Sequence, residues 1–470
     1  MTRAAMHAHE LKLDLEPWSL FRALANKERP FFIDAGQPWG EEWVSSMGFR
    51  PRMQFRVTAA DPAEAPLDRL DALLAEMAPS AHDRRRPRPV PFAGGVVAAI
   101  AYETKHAVER LPPVAGEAPD APRLAGAVYD AALSYDHRRR QYWLASWHLD
   151  ATALATLAEE IRDAAADAER SARPAVLPIH GSAITATLDA AAYTARVARV
   201  HDYIAAGDVY QVNLSQRFET RLPAPALDVY ERLRAIQPVP FGGYVDLGPE
   251  RVLSNSPELF LRRRDARVMT CPIKGTRPRG STPAADERLV AELRSDPKER
   301  AEHVMIVDLE RSDLGRVCRT GSVSVPRLAD CVPFNTVHHL VSTVAGTLRP
   351  AVTTGELLRA TFPSGSITGA PKIRAMEIIA ELERAPRGFY TGALGWIDAS
   401  GDCDLNVAIR TAVARGDRLS YHAGGGIVAD SRPERERDEL YLKAAAFFRA
   451  LGLEDPRTDV GAAAAIEATQ

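Results

Sequence analysis

The sequence lacks any apolar stretch long enough to cross a bilayer. A membrane-spanning helix needs about 20 predominantly apolar residues, and no segment of the 470-residue chain approaches that length. The first residues, MTRAAMHAHELKLDLEPW, also lack the continuous apolar segment of a signal peptide. We therefore expect a soluble protein of the cytoplasm that makes no contact with a membrane.

Cysteine is scarce, and neither sign of charge dominates. The four cysteines include no C-x-x-C pair, which argues against a disulfide framework or a zinc ribbon and fits a reducing compartment. The formal net charge of −3 excludes the electrostatic footprint of a general nucleic-acid binder. The Walker A spacing G-x-x-x-x-G-K-S/T is also absent, so an ATP site is not indicated.

The chain does contain an alternation of helical and strand-like runs. The sequence predicts helices at 151–172, 188–208, 286–295, 297–310, 355–361, 371–384 and 433–451. It predicts strands at 29–36, 91–104, 139–149, 209–220, 251–264, 267–276, 388–399, 405–414 and 418–430. The predicted strands and helices do not alternate regularly. This pattern favours the α+β class, with large antiparallel sheets wrapped by helices.

A break in periodicity divides the chain into two regions. The segment RPAVLPIHGSAITA, with two prolines and a glycine, separates an N-terminal region at 1–175 from a second region at 185–455. The tail at 456–470 has no amphipathic pattern and is predicted to fray. In the first region, the glycine pair of PFAGGVVAAIAYET predicts a place where the backbone passes close to another part of the chain.

Two predicted helices carry paired glutamates on one face. Glu299 and Glu302 lie three residues apart, and Glu436, Glu439 and Lys443 fall on one stripe of a later helix. A charged, solvent-facing surface explains such pairs in most proteins. Here both helices begin at a proline and carry strongly apolar partners, so they are expected to be docked. Converging carboxylates of this kind suit a hard divalent cation such as Mg²⁺.

Two glycine-rich segments could present backbone N–H groups to an anion. FPSGSITGAPKIRAME leads from Gly365 into a helix that begins near Pro371, and HAGGGIVAD covers 422–430. The amide groups at a helix N-terminus are a favourable site for an anion. A structural turn is the ordinary alternative for each glycine run taken alone.

Nine segments in a fixed order resemble the chorismate-utilising enzymes, a family that includes the anthranilate, aminodeoxychorismate, isochorismate and salicylate synthases. In this sequence they read AGDVYQVNLSQRF, SNSPELF, PIKGTRPRG, DPKERAEHVMIVDLERSDLG, VHHLVSTVAGTL, FPSGSITGAPKIRAMEIIAELE, GFYTGALGWID, AIRTA and AGGGIVADSRPERERDE. The resemblance covers about residues 185–455 and, more weakly, the N-terminal region. It implies the fold of anthranilate synthase component I and an enzyme that acts on chorismate.

The resemblance implies a role for residues that match the family's motifs. Glu302 and Glu439 match ligands of an Mg²⁺ ion that ties down a substrate carboxylate, and Glu299 and Glu436 match supporting acids. The implied substrate contacts are Gln211, Thr276, Tyr390, Arg410, Gly424 and Gly425. His339 matches the active-site histidine, whereas His338 and His422 have no match. Glu258 matches the general acid for the departing C4 hydroxyl, which needs a raised pKa.

Two short segments of this chain, PIKGTRPRG and GSITGAPK, resemble those of the aminodeoxychorismate synthases within that family. Isochorismate and salicylate synthases have a lysine base where this chain has Gln211. Anthranilate synthases resemble PIAGTRPRG and GTVSGAPK, whereas this chain has PIKGTRPRG, with Lys274, and GSITGAPK. The resemblance implies that Lys274 attacks C2 of chorismate as a neutral amine. A solvated lysine beside two arginines is the alternative for this residue.

Three interpretations of function remain after this comparison. The favoured one is synthesis of 4-amino-4-deoxychorismate for the 4-aminobenzoate and folate pathway. Since no cysteine has the flanking glycines of a glutaminase nucleophile elbow, ammonia would come from a separate glutamine amidotransferase subunit or from solution. The alternatives are the anthranilate synthase reaction and a catalytically silent chorismate-binding subunit. The silent subunit would have lost Glu258, Glu302 or Glu439, and all three are present.

Three segments depart from the family pattern. Ser312 stands where asparagine is usual, and GGVVAAIAYE lacks the usual glycine-tyrosine. Neither departure touches a predicted catalytic group, so an active enzyme is expected. RPFFIDAG also replaces the LLES-like segment of tryptophan-sensing relatives, a weak argument against feedback by tryptophan.

Overall fold

The computed structural model describes residues 6–80, 83, 87–170, 179, 181, 183–335, 337–453 and 460–462. Its α-helices are α1 (Pro17–Leu24), α2 (Ala65–Met77), α3 (Ala151–Arg170), α4 (Ala190–Ala205), α5 (Ala226–Ile236), α6 (Pro283–Ser295), α7 (Pro297–Gly315), α8 (Thr354–Thr361), α9 (Lys372–Glu383) and α10 (Pro433–Ala450). Short 3₁₀ turns occur at Tyr102–Ala107 and Gly365–Ile367. Among the described residues, no helix is long and apolar enough to cross a membrane.

The strands are short and numerous. They are β1 (His7–Leu11), β2 (Phe31–Asp34), β3 (Val44–Gly48), β4 (Met53–Thr58), β5 (Gly95–Ile100), β6 (Pro122–Tyr129), β7 (Ala131–Asp136), β8 (Gln141–Ser146), β9 (Ile184–Ala186), β10 (Gln211–Arg221), β11 (Phe241–Asp246) and β12 (Glu250–Ser256). The later ones are β13 (Leu259–Arg264), β14 (Arg267–Cys271), β15 (Ile273–Pro278), β16 (Ser324–Pro333), β17 (Val337–Thr347), β18 (Gly369–Ala370), β19 (Ala393–Asp398), β20 (Cys403–Val407), β21 (Thr411–Arg415), β22 (Arg418–Ile427) and β23 (Val460–Ala462).

The strands form two large sheets. One has 13 strands in the order β1-β8-β7-β3-β2-β11-β12-β21-β22-β10-β9-β23, with β18 also paired to β10. The other has 10 strands in the order β15-β17-β14-β13-β20-β19-β5-β6-β4, with β16 paired to β17. The pairings are antiparallel except that of β23 with β9. The predicted α+β class with large antiparallel sheets and surrounding helices is confirmed.

Strands from both predicted regions lie side by side in both sheets. Strand β2 pairs with β11 in the larger sheet, and β5 pairs with β19 in the smaller one. The main hydrophobic cluster also contains side chains from both regions, such as Leu20 and Phe447. The two regions therefore share their sheets and their core.

Strand β5 shows why a continuous apolar run lies at the centre of the fold. Val96 packs into the main hydrophobic cluster, while the next residue, Val97, packs into a second cluster. Successive side chains of a strand point to opposite faces, so a strand covered on both faces is apolar throughout. At its start, a Cβ on Gly95 would lie 2.3 Å from the carbonyl oxygen of Ile397. The close backbone approach predicted from the glycine pair is confirmed.

Several predicted strands are shortened or divided in the structure, and two of these changes fall at predicted site residues. The segment 388–399 contributes only β19, because Gly388 and Thr391 have φ values of +61° and +59°. The segment 405–414 is split into β20 and β21 by Arg410, whose φ is +50°. A left-handed backbone interrupts an extended strand. Both interruptions place a predicted site residue, Tyr390 or Arg410, on a turn.

The end of the chain also differs from the prediction. Within the tail 456–470, residues Val460–Ala462 form β23 and pair in parallel with β9. The outer edge of a strand such as β9 carries free N–H and C=O groups that can bind an added strand. The other residues of that tail, and most of the predicted break between the two regions, lie outside the described residues.

Candidate active site

Lys274 lies on β15, which is separated from β14 by Pro272. Its side chain is half-buried, and Nζ donates a hydrogen bond to the carbonyl oxygen of Ser366 at 3.1 Å. Ser366 belongs to the turn Gly365–Ile367 in the predicted glycine-rich loop. Lys274 is therefore directed toward that loop and is not a solvated charge on the surface.

The electrostatic surroundings of Lys274 favour its neutral form more than water does. Burial lowers its pKa from the ordinary lysine value, and the charge on Lys443 acts in the same direction. The carboxylates of Glu258, Glu302 and Glu439 oppose this shift. A neutral amine is the form that can act as a nucleophile.

Glu258 is buried within electrostatic range of the same lysine. Only 4% of its surface is exposed. Burial raises its pKa to about 7, and the carboxylate of Glu310 adds to the shift, while a hydrogen bond from Ser366 and the charge of Lys274 oppose it. The carboxyl group is therefore partly protonated near neutral pH and can donate a proton.

His339 presents a free nitrogen atom within the site. Its Nδ1 lies 3.0 Å from the carbonyl oxygen of Gly275 and 3.1 Å from Oγ1 of Thr276. A carbonyl oxygen only accepts, so Nδ1 carries the proton and Nε2 has a lone pair. This Nε2 is buried without a hydrogen-bond partner among the described residues. Burial, followed by the charge of Arg410, lowers the pKa of His339 to about 3, so the ring is neutral.

Arg410 supplies a positive charge that is not paired with an acidic side chain of the described residues. Its guanidinium is half-buried, and within the described ranges it forms no ion pair. Burial lowers its pKa, while Tyr421 and Glu258 oppose that shift. An arginine in this setting is suited to a carboxylate of a ligand. Tyr390 is also buried and stacks on His422 with ring centroids 4.9 Å apart.

The glycines of β22 allow close approach to neighbouring elements. A Cβ on Gly424 would lie 2.6 Å from the carbonyl oxygen of Leu214, and one on Gly425 would lie 3.4 Å from a carboxylate oxygen of Glu436. The carbonyl oxygen of Gly424 accepts a hydrogen bond from Nζ of Lys443 at 3.0 Å. These glycines therefore connect the strand to the glutamate-bearing helix α10.

Gln211 places an amide group beside the same strand. It is 1% exposed, and its Nε2 has no hydrogen-bond partner among the residues described. A Cβ on Gly426 would lie 2.1 Å from that Nε2, so the missing side chain leaves room for the amide. A buried, unpaired donor is costly without a ligand or water, and this one is available to an acceptor in the site.

The four predicted metal-binding glutamates lie near the starts of two helices. Glu299 and Glu302 are on α7, and Glu436 and Glu439 are on α10. Burial raises the pKa of Glu302, and the negative charges of Glu299 and Glu436 contribute to the rise. Burial also raises the pKa of Glu436, where Glu439 contributes. The carboxylates of the two helices therefore lie within electrostatic range of one another, and their charges repel.

These carboxylates are partly paired with basic side chains. Glu439 lies 2.8 Å from Nζ of Lys443, and Glu302 lies 3.8 Å from Nζ of Lys298. In the described part of the chain, no three His, Cys, Asp or Glu side chains are already grouped as a metal site. The all-oxygen donor set and the mutual repulsion nevertheless fit a hard divalent cation, which would relieve that repulsion.

The glycine-rich loop around Gly365 does not leave all of its N–H groups free for an anion, as the sequence had suggested. The backbone N–H of Gly365 donates to Oε1 of Glu310 at 2.9 Å, and the Ser364 hydroxyl donates to the same oxygen at 2.8 Å. An internal carboxylate thus already occupies these donors. The same loop instead offers the Ser366 carbonyl oxygen to Lys274.

Three residues of the site have no role predicted from the sequence. Lys443 lies on the predicted stripe with Glu436 and Glu439, one helical turn after Glu439, a spacing that suits their ion pair. Ser366 was seen only as part of a glycine-rich loop. Arg387, which donates hydrogen bonds to Asn213, Ile367 and Thr391, gave no sequence signal.

Comparison with known proteins supports the resemblance seen in the motifs. A family model described as chorismate binding enzyme matches residues 28–449. The chain is 41% identical to anthranilate synthase component 1 of Streptomyces coelicolor, over 95% of this chain and 88% of that protein. It is 40% identical to aminodeoxychorismate synthase component 1 of Klebsiella aerogenes, over 77% of this chain and 79% of that protein.

A solved structure shows the same fold. The chain superposes on anthranilate synthase component I from Streptococcus pneumoniae with a TM-score of 0.75 and 29% identity, covering 87% of this chain and 93% of that one. These three similar proteins therefore divide between anthranilate synthase and aminodeoxychorismate synthase.

Proposed function

Because the chain belongs to the chorismate binding enzyme family, we propose that it converts chorismate and ammonia into 4-amino-4-deoxychorismate. The observation that supports this reaction is the position of Lys274. Its side chain is half-buried, donates a hydrogen bond to the Ser366 carbonyl oxygen, and interacts electrostatically with the buried acid Glu258. The anthranilate-type motif has alanine at that position. A nucleophilic amine there directs ammonia away from C2.

The proposed reaction proceeds in two displacements. The lone pair of Lys274 Nζ forms a bond to C2 of chorismate, the ring double bonds shift, and the C4–O bond breaks. Glu258 donates its proton to the departing hydroxyl, which leaves as water. Ammonia then adds at C4 while the C2–N bond to Lys274 breaks, and the new ammonium group at C4 returns one proton to the Glu258 carboxylate, which restores the acid. The balance is chorismate plus ammonia giving 4-amino-4-deoxychorismate plus water.

Polar groups around the lysine would orient the substrate. Arg410 is suited to one carboxylate, and Thr276, Tyr390 and the backbone N–H groups of Gly424 and Gly425 are the proposed further contacts. His339 presents a lone pair on Nε2 as a proton acceptor. Gln211 offers an amide where isochorismate-forming relatives have a lysine base, so activation of water is not expected at this position.

The acidic residues are proposed to hold Mg²⁺. Glu302 and Glu439 would be its ligands, with Glu299 and Glu436 as supporting acids, and the bound ion would neutralise a carboxylate of chorismate. This assignment is supported by the electrostatic repulsion between Glu302 on α7 and Glu436 on α10, which a bound cation would relieve.

The ammonia is proposed to come from a partner. Relatives of both kinds carry the designation component 1, and this chain has no cysteine in a nucleophile elbow. A glutamine amidotransferase subunit is therefore the proposed partner, with the reaction taking place in the cytoplasm as a step toward 4-aminobenzoate and folate.

The second candidate is the anthranilate synthase reaction. It is favoured by the 41% identity to an anthranilate synthase component 1 over 95% of the chain. Purified protein supplied with chorismate, Mg²⁺ and ammonium chloride distinguishes the candidates when the products are identified by mass spectrometry. We expect 4-amino-4-deoxychorismate without pyruvate. Anthranilate with pyruvate would support the second candidate, and unconsumed chorismate would indicate a silent binding subunit.

A further inference from the structure

A buried arginine behind the site connects three separate segments that carry site residues. Arg387 is 3% exposed and lies in the connection between α9 and β19. We propose that Arg387 is a positioning residue, which holds these three segments in the arrangement that the reaction requires. It makes no contact with Lys274 or Glu258, so its effect would be exerted through other residues.

Each N–H group of the Arg387 guanidinium has an acceptor. Nε and one N–H of Nη2 bind the two carboxylate oxygens of Glu383, at 2.8 and 2.7 Å. The other N–H of Nη2 donates to the carbonyl oxygen of Asn213 at 2.8 Å. Nη1 donates to the carbonyl oxygen of Ile367 and to Oγ1 of Thr391, both at 3.2 Å. The five donors of an arginine are thus all used.

The three acceptors outside Glu383 are sequence neighbours of site residues. Ile367 follows Ser366, whose carbonyl oxygen accepts the hydrogen bond from Lys274. Asn213 is two residues beyond Gln211 on β10, and Thr391 follows Tyr390 directly. The Arg387 guanidinium therefore holds three places at fixed distances from one another. One is next to Ser366, whose carbonyl oxygen binds Lys274, and the other two are near the proposed substrate contacts Gln211 and Tyr390.

Further hydrogen bonds hold Glu383 and the backbone of Arg387 to other segments of the chain. Oε1 of Glu383 also accepts hydrogen bonds from N and Oγ of Ser215, at 2.8 and 2.9 Å. The buried carboxylate of Glu103 accepts the backbone N–H groups of Arg387 and Gly388, at 2.8 and 3.0 Å. A buried network in which each member is satisfied is rigid. This network extends from the N-terminal region to the turn that carries Tyr390.

Lysine could not take the place of Arg387. Its single ammonium has three donors and no planar fork, so at least two of the five acceptors would lose their partner. Displacing a reacting group by about 1 Å can lower the rate roughly 100-fold. The proposed carboxylate contacts at Arg410, Gly424 and Gly425 are not bonded to Arg387. We therefore expect Arg387→Lys to lower kcat much more than it raises KM for chorismate.

Two Arg387 variants and one control test the inference in the full-length protein. Arg387→Lys and Arg387→Met are compared with Arg88→Met, which removes a half-buried arginine that donates hydrogen bonds to Asp398 and Ser400, away from the site residues. We expect Arg387→Lys to lower kcat by roughly 100-fold with KM changed by less than about threefold. Arg88→Met should lower the melting temperature and leave kcat unchanged.

The kinetic measurement rests on the proposed function, so hydrogen exchange provides a second measurement that does not. Exchange should rise together at 211–215, 365–368 and 387–391 in Arg387→Lys, and at none of them in Arg88→Met. Wild-type kcat in Arg387→Lys, or faster exchange confined to 384–392, would overturn the inference. If the wild-type protein leaves chorismate unconsumed, the proposed function fails and the exchange pattern alone decides about Arg387. If Arg387→Met does not fold, Arg387→Lys carries the test.

Discussion

The pKa values of Glu258 and Lys274 are shifted in opposite directions by the same burial. Burial raises the pKa of the Glu258 carboxyl to about 7 and lowers that of the Lys274 amine. Each group's charge opposes the shift of the other. The shifts bring the acid form of Glu258 and the neutral form of Lys274 toward the same pH range, where a proton donor and a nucleophile coexist.

Replacing Lys274 by alanine tests its role as nucleophile. A surface substitution changes free energies by only about 0.5 kcal/mol, whereas loss of a covalent nucleophile lowers turnover by roughly 10³-fold or more. We expect the larger effect on 4-amino-4-deoxychorismate formation, with a trace of anthranilate because C2 becomes open to ammonia. Product analysis by mass spectrometry and a circular dichroism spectrum provide the measurement.

Lys27→Ala is the matched control for that substitution. Lys27 lies 2.8 Å from Glu160 and its side chain is 34% exposed, so its removal should leave turnover unchanged. Near-native product formation by a folded Lys274→Ala protein would assign Lys274 a purely structural role.

The pH dependence of kcat/KM should be bell-shaped. The rate should rise with pH as Lys274 loses its proton, and fall above about 7 as Glu258 loses the proton that it must donate. Glu258→Gln should lower the rate roughly 10²- to 10⁴-fold and abolish the alkaline limb. Initial rates measured at a constant concentration of free ammonia test this. An unchanged alkaline limb in Glu258→Gln would show that another group causes it.

Glu258 should also make stability depend on pH. Its folded pKa of about 7 lies above the ordinary value of 4.5, so its favourable contribution is complete below about 4.5 and is lost as pH rises through 7. Glu258→Gln stays neutral, so at pH 8 it should be more stable than the wild type, by up to about 3 kcal/mol. Urea unfolding at pH 5 and pH 8 measures the difference. An equal effect at both values would contradict the assignment.

The acidic residues should be needed for Mg²⁺-dependent binding of chorismate. Glu302→Gln and Glu439→Gln each remove a charged oxygen from a site for a hard cation, so both should weaken binding of chorismate in the presence of Mg²⁺. Isothermal titration with and without Mg²⁺ provides the comparison, and Glu159→Gln serves as a surface control because Glu159 is exposed and pairs with Arg162 on the same helix. Unchanged Mg²⁺ dependence in both variants would remove these residues from the metal site.

Arg410 should affect substrate binding directly. Hydrogen bonds to charged groups contribute about 1.5–3 kcal/mol, so Arg410→Met should raise KM for chorismate roughly 10- to 100-fold. Steady-state kinetics compared with Arg199→Met, a substitution on the exposed face of α4, test this expectation. A KM within twofold of the wild-type value would show that Arg410 does not bind a substrate carboxylate.

The parts of the fold that could be predicted from the sequence are those set by local periodicity. The helices that bear Glu299, Glu302, Glu436 and Glu439 lie where proline and apolar spacing placed them. The sequence predicts strands at the turns of Tyr390 and Arg410, because β-branched and aromatic residues surround them and a left-handed φ on a non-glycine residue leaves no composition signal.

The contacts that position the site residues could not be predicted from the sequence, for a different reason. The partner of Lys274 is a backbone carbonyl oxygen at Ser366, and any residue supplies such an atom. Arg387 likewise binds two carbonyl oxygens from distant segments. Side-chain patterns do not encode which backbone atoms meet, since only the tertiary arrangement brings them together.

The mixed origin of both sheets has a consequence for how the chain folds during synthesis. Strand β5 has one neighbour, β6, nearby in sequence, but its other neighbour, β19, begins only at Ala393. At a synthesis rate of about 5–20 residues per second, this edge of the apolar strand β5 stays unpaired for tens of seconds before β19 has been made. An unpaired strand edge invites association with other chains. Neither half of the protein can complete its own sheet, so a truncated chain should aggregate instead of forming a smaller working unit.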